Sequence, residues 1–418
     1  MMKKRIIIVS NEPFSDISSN GRTIKNFLLN VPRENLAQFY IHGKPDEVFC
    51  ENYFCVPDRM ALNRFLGRKA PSGGQSKASP KGTAPKAAAT KQPKRSYRNL
   101  VIRNVVWQSM RWWDGEFDRF LQEFRPDIVL LQAGDAPFMF RIARRIAKKC
   151  HAKLMMFNTE HYVLKKQMYA SANSKLWHDI LMYSLKRQYR KMMNKVDFCL
   201  YNTEALEKAY QERYPHPGKS AVLYTTSTLS AMQEHSGESF SALYCGNLGV
   251  GRLTALDEFA KVLYGVDNTA RLDIYGTFPD EQQKKRLCQN PNVYCHGFVD
   301  YQQIPALMER ASILIHCEHP ERVENLKFAF STKIADCLAC GRPFLVYATC
   351  KYPFVQYLLK NKCAHIASDP EELRVVLKNC IQDKDYLYQH VRNAVEVASR
   401  NHNQEMNCRI IEEIFNTI

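Results

Sequence analysis

Residues 330–348 read FSTKIADCLACGRPFLVYA: two hydroxyl residues and a lysine at the head of an apolar helix, a Gly-Arg-Pro stop, then a strand at once. Ser331 or Thr332 can cap such a helix, leaving its first N–H groups and the positive end of its dipole for an anion. Lys333 adds a full charge there. Asp336 lies about one turn in, among Ile334, Leu338 and Ala339. It either complements the dipole or accepts two hydrogen bonds from a vicinal diol such as a ribose. A second group follows the apolar run SALYC, in CGNLGVGR. Gly246 permits a tight turn and close approach of backbone to a phosphate, and Arg252 can present a bidentate charge to a diphosphate. The alternative is an ordinary turn ahead of a helix over 253–263.

The N-terminal half offers less. In NEPFSDISSNGRT, Gly21 and its neighbour Arg22 join a first strand to a helix, where glycine lets the chain approach an acceptor or phosphate; a long turn capped by Ser19 or Asn20 is the other reading. FNTEHYVLKK ends a strand with Glu160 and His161, and a histidine titrating near neutrality can orient or polarise a reacting group, or can be structural. Glu204 faces the same choice between a ligand and a helix start. The sole Asp-x-Asp, Asp383 to Asp385, lies among C-terminal helices, so no metal is expected, and the CxxC from Cys337 to Cys340 reads as helix packing.

The elements that must position these groups alternate. KRIIIV, DIVLLQ, KLMMFN, DFCLYN and SAVLY are strands separated by helices, including a long one from Ser174 to Asn194 and helical spacing through NLVIRNVVWQSMRWWDGEFDRFLQEF. Polar residues 225–239 interrupt the rhythm, and SALYC, RLDIYG, NVYCHGF, SILIHC and CAHIAS resume it. Strand-helix alternation implies right-handed crossovers and parallel sheets. The fold class is α/β, with two doubly wound Rossmann-like domains over 1–225 and 226–400 and a last helix, 401–418, returning to the first. Ligands belong at the carboxyl ends of such strands, in a cleft between the two domains.

A chain of 418 residues with 45% hydrophobic composition can fill two cores. The net charge of +17 is local: residues 67–98 hold nine Lys or Arg and no acid. That stretch, rich in Pro, Ser, Gly and Ala, cannot offset its ordering entropy and reads as a disordered basic insertion. It is either solvated or in contact with an anionic membrane surface; without aromatic interleaving, nucleic acid is not expected as a partner. No run approaches the roughly 20 apolar residues of a membrane helix. The chain start lacks the apolar region of a signal peptide, and the cysteines sit in apolar segments, so a reduced cytoplasmic setting is expected.

FSTKIADCLACGRPFLVYA resembles the donor-site helix of retaining GT-B glycosyltransferases of the group 1 type, and CGNLGVGR resembles their glycine turn and phosphate-contacting arginine. LDIYG and VYCHGFVDYQQIPALMERASILIHC are similar to the family's central strands and base-side turn; FRPDIVLLQAGD, NTEHYVLKK and YNTEALEKAY are similar to members that serve bacterial surface polysaccharide synthesis. The resemblance implies a nucleoside diphosphate sugar as donor, a saccharide or lipid-linked acceptor, retention of anomeric configuration, and neither cofactor nor metal. It makes Gly246, Arg252, Ser331, Thr332 and Lys333 the diphosphate site, Asp336 the ribose ligand, and Gly297 and Phe298 neighbours of the base. It places Gly21 and Arg22 in the acceptor loop and Glu160 and His161 at the reacting sugar. The sequence departs from the family at Phe328, eight residues before Asp336, where a sugar-contacting Glu is usual; Glu318, Glu321 or Glu324 is a candidate substitute. A sugar-nucleotide epimerase of the same fold and a non-catalytic nucleotide or glycan binder remain the alternatives. For a lipid-linked acceptor, the 98–117 segment with Trp107 and Trp112 lies either at a bilayer surface or in the core.

Overall fold

Ile6–Val9 is an unbroken apolar run with no exposed residue, the pattern of a central parallel strand covered on both faces. It is β1 of an eight-stranded sheet in the computed structural model, which describes residues 4–15, 19–68, 74–75, 96–165, 174–232, 239–249, 251–279, 281–319 and 323–418. The chain divides into two units, Met1–Leu223 with Asn407–Ile418, and Tyr224–Met406.

The first unit holds β1, β2 (Leu36–Tyr40), β3 (Asn52–Cys55), β4 (Gly74–Gln75), β5 (Ile128–Gln132), β6 (Lys153–Asn158), β7 (Phe198–Tyr201) and β8 (Lys219–Val222), in the order β4-β3-β2-β1-β5-β6-β7-β8. Among the described strands of this sheet, only the β3–β4 pairing is antiparallel. One face carries Ile6, Ile8, Ile128 and Leu130, packed with Ile411, Ile414 and Phe415 of the last helix, Gln404–Thr417. On other elements an aromatic cluster forms, with Phe39 against Trp107, Trp112 and Phe117.

Three expectations change here. The segment read with one helical spacing is two helices, Tyr97–Gln108 and Gly115–Phe124, because Met110 adopts a left-handed φ of 59° and Asp114 caps the second through the Phe117 amide. Trp107 and Trp112, five apart, would point about 140° apart on a single helix; the break lets both be buried. That places them in the core and excludes them from a bilayer surface. Parts of the basic 67–98 stretch also have regular structure: Gly74 and Gln75 pair with β3, and Ser96 caps the helix that starts at Tyr97 through the Asn99 amide. Residues 69–73 and 76–95 lie outside the described residues. Gly21 sits inside the helix Ser19–Phe27 rather than in a loop before it.

The second unit holds β9 (Ser241–Cys245), β10 (Arg271–Tyr275), β11 (Val293–Gly297), β12 (Ile313–Cys317), β13 (Phe344–Tyr347) and β14 (His365–Ala367), all parallel, in the order β11-β10-β9-β12-β13-β14. Period-two alternation splits its interior into two cores. Ile313, Ile315, Leu345 and Tyr347 face one, while Leu314, Phe344 and Val346 face the other with Ile334 and Leu338 of the helix Thr332–Ala339. The polar stretch after residue 223 is fastened inside this unit. His402 donates from Nδ1 to the Thr225 carbonyl (2.7 Å), accepts from Tyr357, and offers its own carbonyl to the Ser227 amide (2.9 Å). Burial pushes the His402 imidazole down to about 4, so it stays neutral in that role.

Candidate functional site

Strand order in the second unit reverses between β9 and β12, the place where open α/β sheets receive ligands beyond their carboxyl ends. Gly246 follows β9 and Glu318 follows β12. Gly251, left-handed at φ 86°, turns the chain so that Arg252 begins the helix Arg252–Val266. There Arg252 meets Glu318: Nε donates to Oε1 at 2.9 Å and Nη2 donates to the same oxygen, while Nη1 reaches the Asn247 carbonyl at 3.2 Å. His316, on β12, lies 3.2 Å from that oxygen through Nε2. Among the described residues, Oε2 of Glu318 is buried without a hydrogen-bond partner.

Lys333 completes the group from the helix Thr332–Ala339. Its ammonium donates to the Tyr244 hydroxyl at 2.7 Å and lies 3.9 Å from that ring's centroid. A Cβ on Gly246 would come within 2.7 Å of the ammonium, so glycine is what leaves room for it. Ser331 holds the N-cap position with extended backbone, but its hydroxyl makes no capping hydrogen bond. The expected cap by the Ser331 side chain is therefore absent, and Thr332 is the first residue of the helix itself.

Charge and burial compete at these groups. Burial, followed by the charge of Arg252, pulls Lys333 down to about 7. Burial and then the Lys333 charge bring His316 down to about 4, so at neutral pH it is an uncharged donor to Glu318. Burial acts to raise Glu318, yet hydrogen bonds from His316 and Arg252 prevail and hold it near the bottom of the carboxylate range, at about 2. The net arrangement is one carboxylate shared by one arginine, with a lysine poised between charged and neutral.

Asp336 does face hydroxyl donors, as a diol ligand must, but they are the protein's own. Its Oδ1 accepts from Ser227 at 2.6 Å and from Tyr301 at 3.0 Å, and the residue is buried. Gly297 ends β11 at φ 82°, and Phe298 beyond it is 76% exposed, a bare aromatic ring beside the stacked pair Tyr275 and His296. Neighbouring ends are sewn together, Gly246 N to the Tyr275 carbonyl (2.8 Å) and Gly276 N to the Gly297 carbonyl (2.7 Å).

Thus Gly246, Arg252, Glu318 and Lys333 converge, whereas Asp336, farther along the Lys333 helix, is bonded to Ser227 and Tyr301. Glu318 was a candidate to replace the usual Glu at Phe328; the structure gives it to Arg252. Glu324 lies near Lys327, and Glu321 is outside the described residues. In the first unit, Glu160 follows β6 and pairs with Lys165 (2.9 Å), and His161 is buried beside it. The start of the Gly21 and Arg22 helix is tied to β5 by Gln132, which donates to the Asn20 carbonyl at 3.0 Å. Sequence reasoning missed His316, Tyr244, Ser227 and Tyr301. An ionisable residue inside the apolar run SILIHC was the available signal for the first.

Residues 253–413 match a family model described as glycosyl transferase-like. No curated protein matches the chain. Among solved structures, sucrose-phosphate synthase from Thermosynechococcus elongatus is similar at TM-score 0.64 and 10% identity, covering 99% of each chain. Anabaena HepE in complex with UDP and glucose is similar at 0.60 and 13%, covering 99% of this chain and 100% of that one. WaaG, a glycosyltransferase involved in lipopolysaccharide biosynthesis, is similar at 0.54 and 13%, covering 97% and 99%. The protein has the GT-B fold. In its GT-B frame the second unit's strand order, 3-2-1-4-5-6 when counted from β9, is that of a dinucleotide-binding sheet.

The depressed Lys333 has a signed consequence. Its folded value, about 7, lies below the ordinary lysine value near 10.4, so between the two the folded state binds fewer protons. Stability of the second unit should therefore rise as pH increases above 7. In urea unfolding from pH 7 to 9, Lys333→Met should lose that part of the rise; equal slopes in both proteins would contradict a buried ammonium.

Proposed function

We propose that the protein is a glycosyltransferase that binds a nucleoside diphosphate sugar in its second unit. The observation that carries this is the convergence of Gly246, Arg252 and Lys333 at the switch point of a Rossmann-order sheet; Lys333 lies inside the segment that matches the glycosyl transferase-like model, which begins one residue after Arg252. As the glycosidic C–O bond breaks, negative charge develops on the departing diphosphate. Arg252, Lys333 and the amino end of the Thr332–Ala339 helix offset it. These cations support transfer without a metal, and the family resemblance supports retention of configuration. Asp336 would hold the ribose diol where Ser227 and Tyr301 now place their hydroxyls, and Phe298 would cover the base. Binding demands that the diphosphate displace Glu318 from Arg252. Glu160 and His161, with Gly21 and Arg22, would serve the acceptor side from the first unit.

A saccharide acceptor carried on a membrane lipid fits the first unit's surface, and with it a role in surface polysaccharide synthesis on the cytoplasmic face. No described helix is long and apolar enough to cross a membrane. The helix Lys175–Met193 bares Leu176, Ile180 and Tyr183, and the helix Tyr97–Gln108 packed on it bares Ile102 and Val105. Basic residues crowd alongside: Arg187 first, then Arg144 and Arg141, push the exposed Lys191 ammonium down. Apolar tips flanked by clustered cations suit an anionic lipid surface at about 1 kcal/mol per basic residue.

Calorimetric titration with UDP, GDP, ADP and their sugar conjugates should give binding to one nucleotide, weakened at least about tenfold, roughly 1.4 kcal/mol, in Arg252→Ala. Binding to none of them would remove the reading; binding and no transfer to any acceptor would favour the non-catalytic alternative. For the membrane role, sedimentation with vesicles containing phosphatidylglycerol should fall at least about tenfold in the Arg187→Glu, Lys191→Glu double variant, which replaces two surface cations with two anions. Equal binding to neutral phosphatidylcholine vesicles would rule out the electrostatic contact.

A further inference from the structure

The edge of the second sheet carries a feature that donor binding does not use. Cys288 closes the helix Glu281–Leu287, its amide donating to the Lys284 carbonyl at 3.0 Å, and Cys295 lies in the edge strand β11. Their sulfurs are 2.6 Å apart, about 0.5 Å beyond bonding distance. The turn between them is pinned. Asn290 donates to Asp257 at 2.8 Å, Asn292 donates to the Ala260 carbonyl at 3.1 Å, and the Val293 amide donates to the Asn290 carbonyl. Asn290 and Asn292 thus anchor the short turn between the helix Glu281–Leu287 and β11 to the helix Arg252–Val266. Ordering of these two sulfurs is therefore built into the free protein.

We propose that Cys288 and Cys295 form a redox-active dithiol that exchanges with low-molecular-weight disulfides to close an intramolecular disulfide. Access sets the order of events. Cys288 is exposed and Cys295 is partly buried. The Cys288 thiolate attacks one sulfur of the small disulfide, and the first small thiolate leaves. Cys295 then loses its proton to solvent and attacks the Cys288 sulfur of the mixed disulfide, releasing the second thiolate. Two protein thiols are oxidised and one small disulfide is reduced to two thiols, so electrons and protons balance. Burial, then the neighbouring Cys288, pushes the Cys295 thiol up to about 12, which leaves the first attack to the exposed Cys288 and makes the second, resolving attack the slower step. The closed form ties the helix Glu281–Leu287 covalently to the strand that ends in Gly297 and precedes Phe298. It does not depend on what the second unit binds.

Both cysteines fall in one tryptic peptide, Leu287–Arg310, which makes the test direct. The intact reduced protein is incubated with oxidised glutathione, quenched with an alkylating agent and digested. The expected result is a peptide that escapes alkylation, lacks two hydrogens and carries no glutathione. Cys295→Ser should trap the glutathione adduct on Cys288, and Cys288→Ser should leave Cys295 unmodified; unfolding midpoints of the reduced variants check that both fold. A glutathione adduct persisting on Cys288 in the unaltered protein, or two alkylated cysteines, would overturn the proposal.

Discussion

Ionised Glu318 stands at the turning point of the second sheet, where it fixes Arg252 and takes a hydrogen bond from His316. A carboxylate this deeply placed is stable only when its desolvation is offset by a paired cation and further donors. Arg252 provides both at once because its guanidinium meets one oxygen through two nitrogens. The remaining oxygen is left without a hydrogen bond. It is Arg252 and Lys333, whose ammonium is near its titration midpoint at neutral pH, that suit an entering anion, while the Glu318 charge must be moved aside for one to bind.

The surrounding elements follow from that requirement. β9 and β12 must lie side by side for Gly246 and Glu318 to share one end of the sheet, and the parallel order with its reversal there achieves it. Glycine at 246 leaves space for the Lys333 ammonium. Glycine at 276 is tighter still, since a Cβ there would sit 1.9 Å from the Gly246 carbonyl oxygen. The helix bearing Lys333 is anchored by Ile334 and Leu338 in the core, and Gly341 at φ 71° ends it so that β13 can start. Asp336 then links this helix to Ser227 and Tyr301. The helix bearing Lys333, the entering polypeptide and the turn after β11 are thereby parts of one hydrogen-bonded set.

Much of this was legible in the sequence because the signals were local. Strand-length apolar runs, helix heads and glycine turns placed Gly246, Arg252, Lys333 and the two doubly wound sheets. What stayed hidden was pairing across long separations. Glu318 lies 66 residues from Arg252, and nothing in CEHPERVEN distinguished it from Glu321 or Glu324. Tyr244 and His316 read as ordinary strand residues, since periodicity reports which face a side chain takes and not whom it meets. The Trp-rich segment misled for a related reason: its apolar spacing suits a helix, but only a break at Met110 lets Trp107 and Trp112 share a core. Asp336 was placed on the correct turn of its helix, yet its hydroxyl partners came from Ser227 and Tyr301, 109 and 35 residues away.

If Glu318 occupies Arg252 in place of a diphosphate, removing its charge should favour the ligand. The most direct measurement is the dissociation constant of the selected nucleoside diphosphate for Glu318→Gln against the unaltered protein, at one pH and salt concentration. Glu318→Gln should bind more tightly, on the order of tenfold, because Arg252 no longer has to give up an ionic partner. Unchanged or weaker binding by a correctly folded variant would contradict it, and would make Glu318 a structural counter-ion or a group that touches the ligand itself.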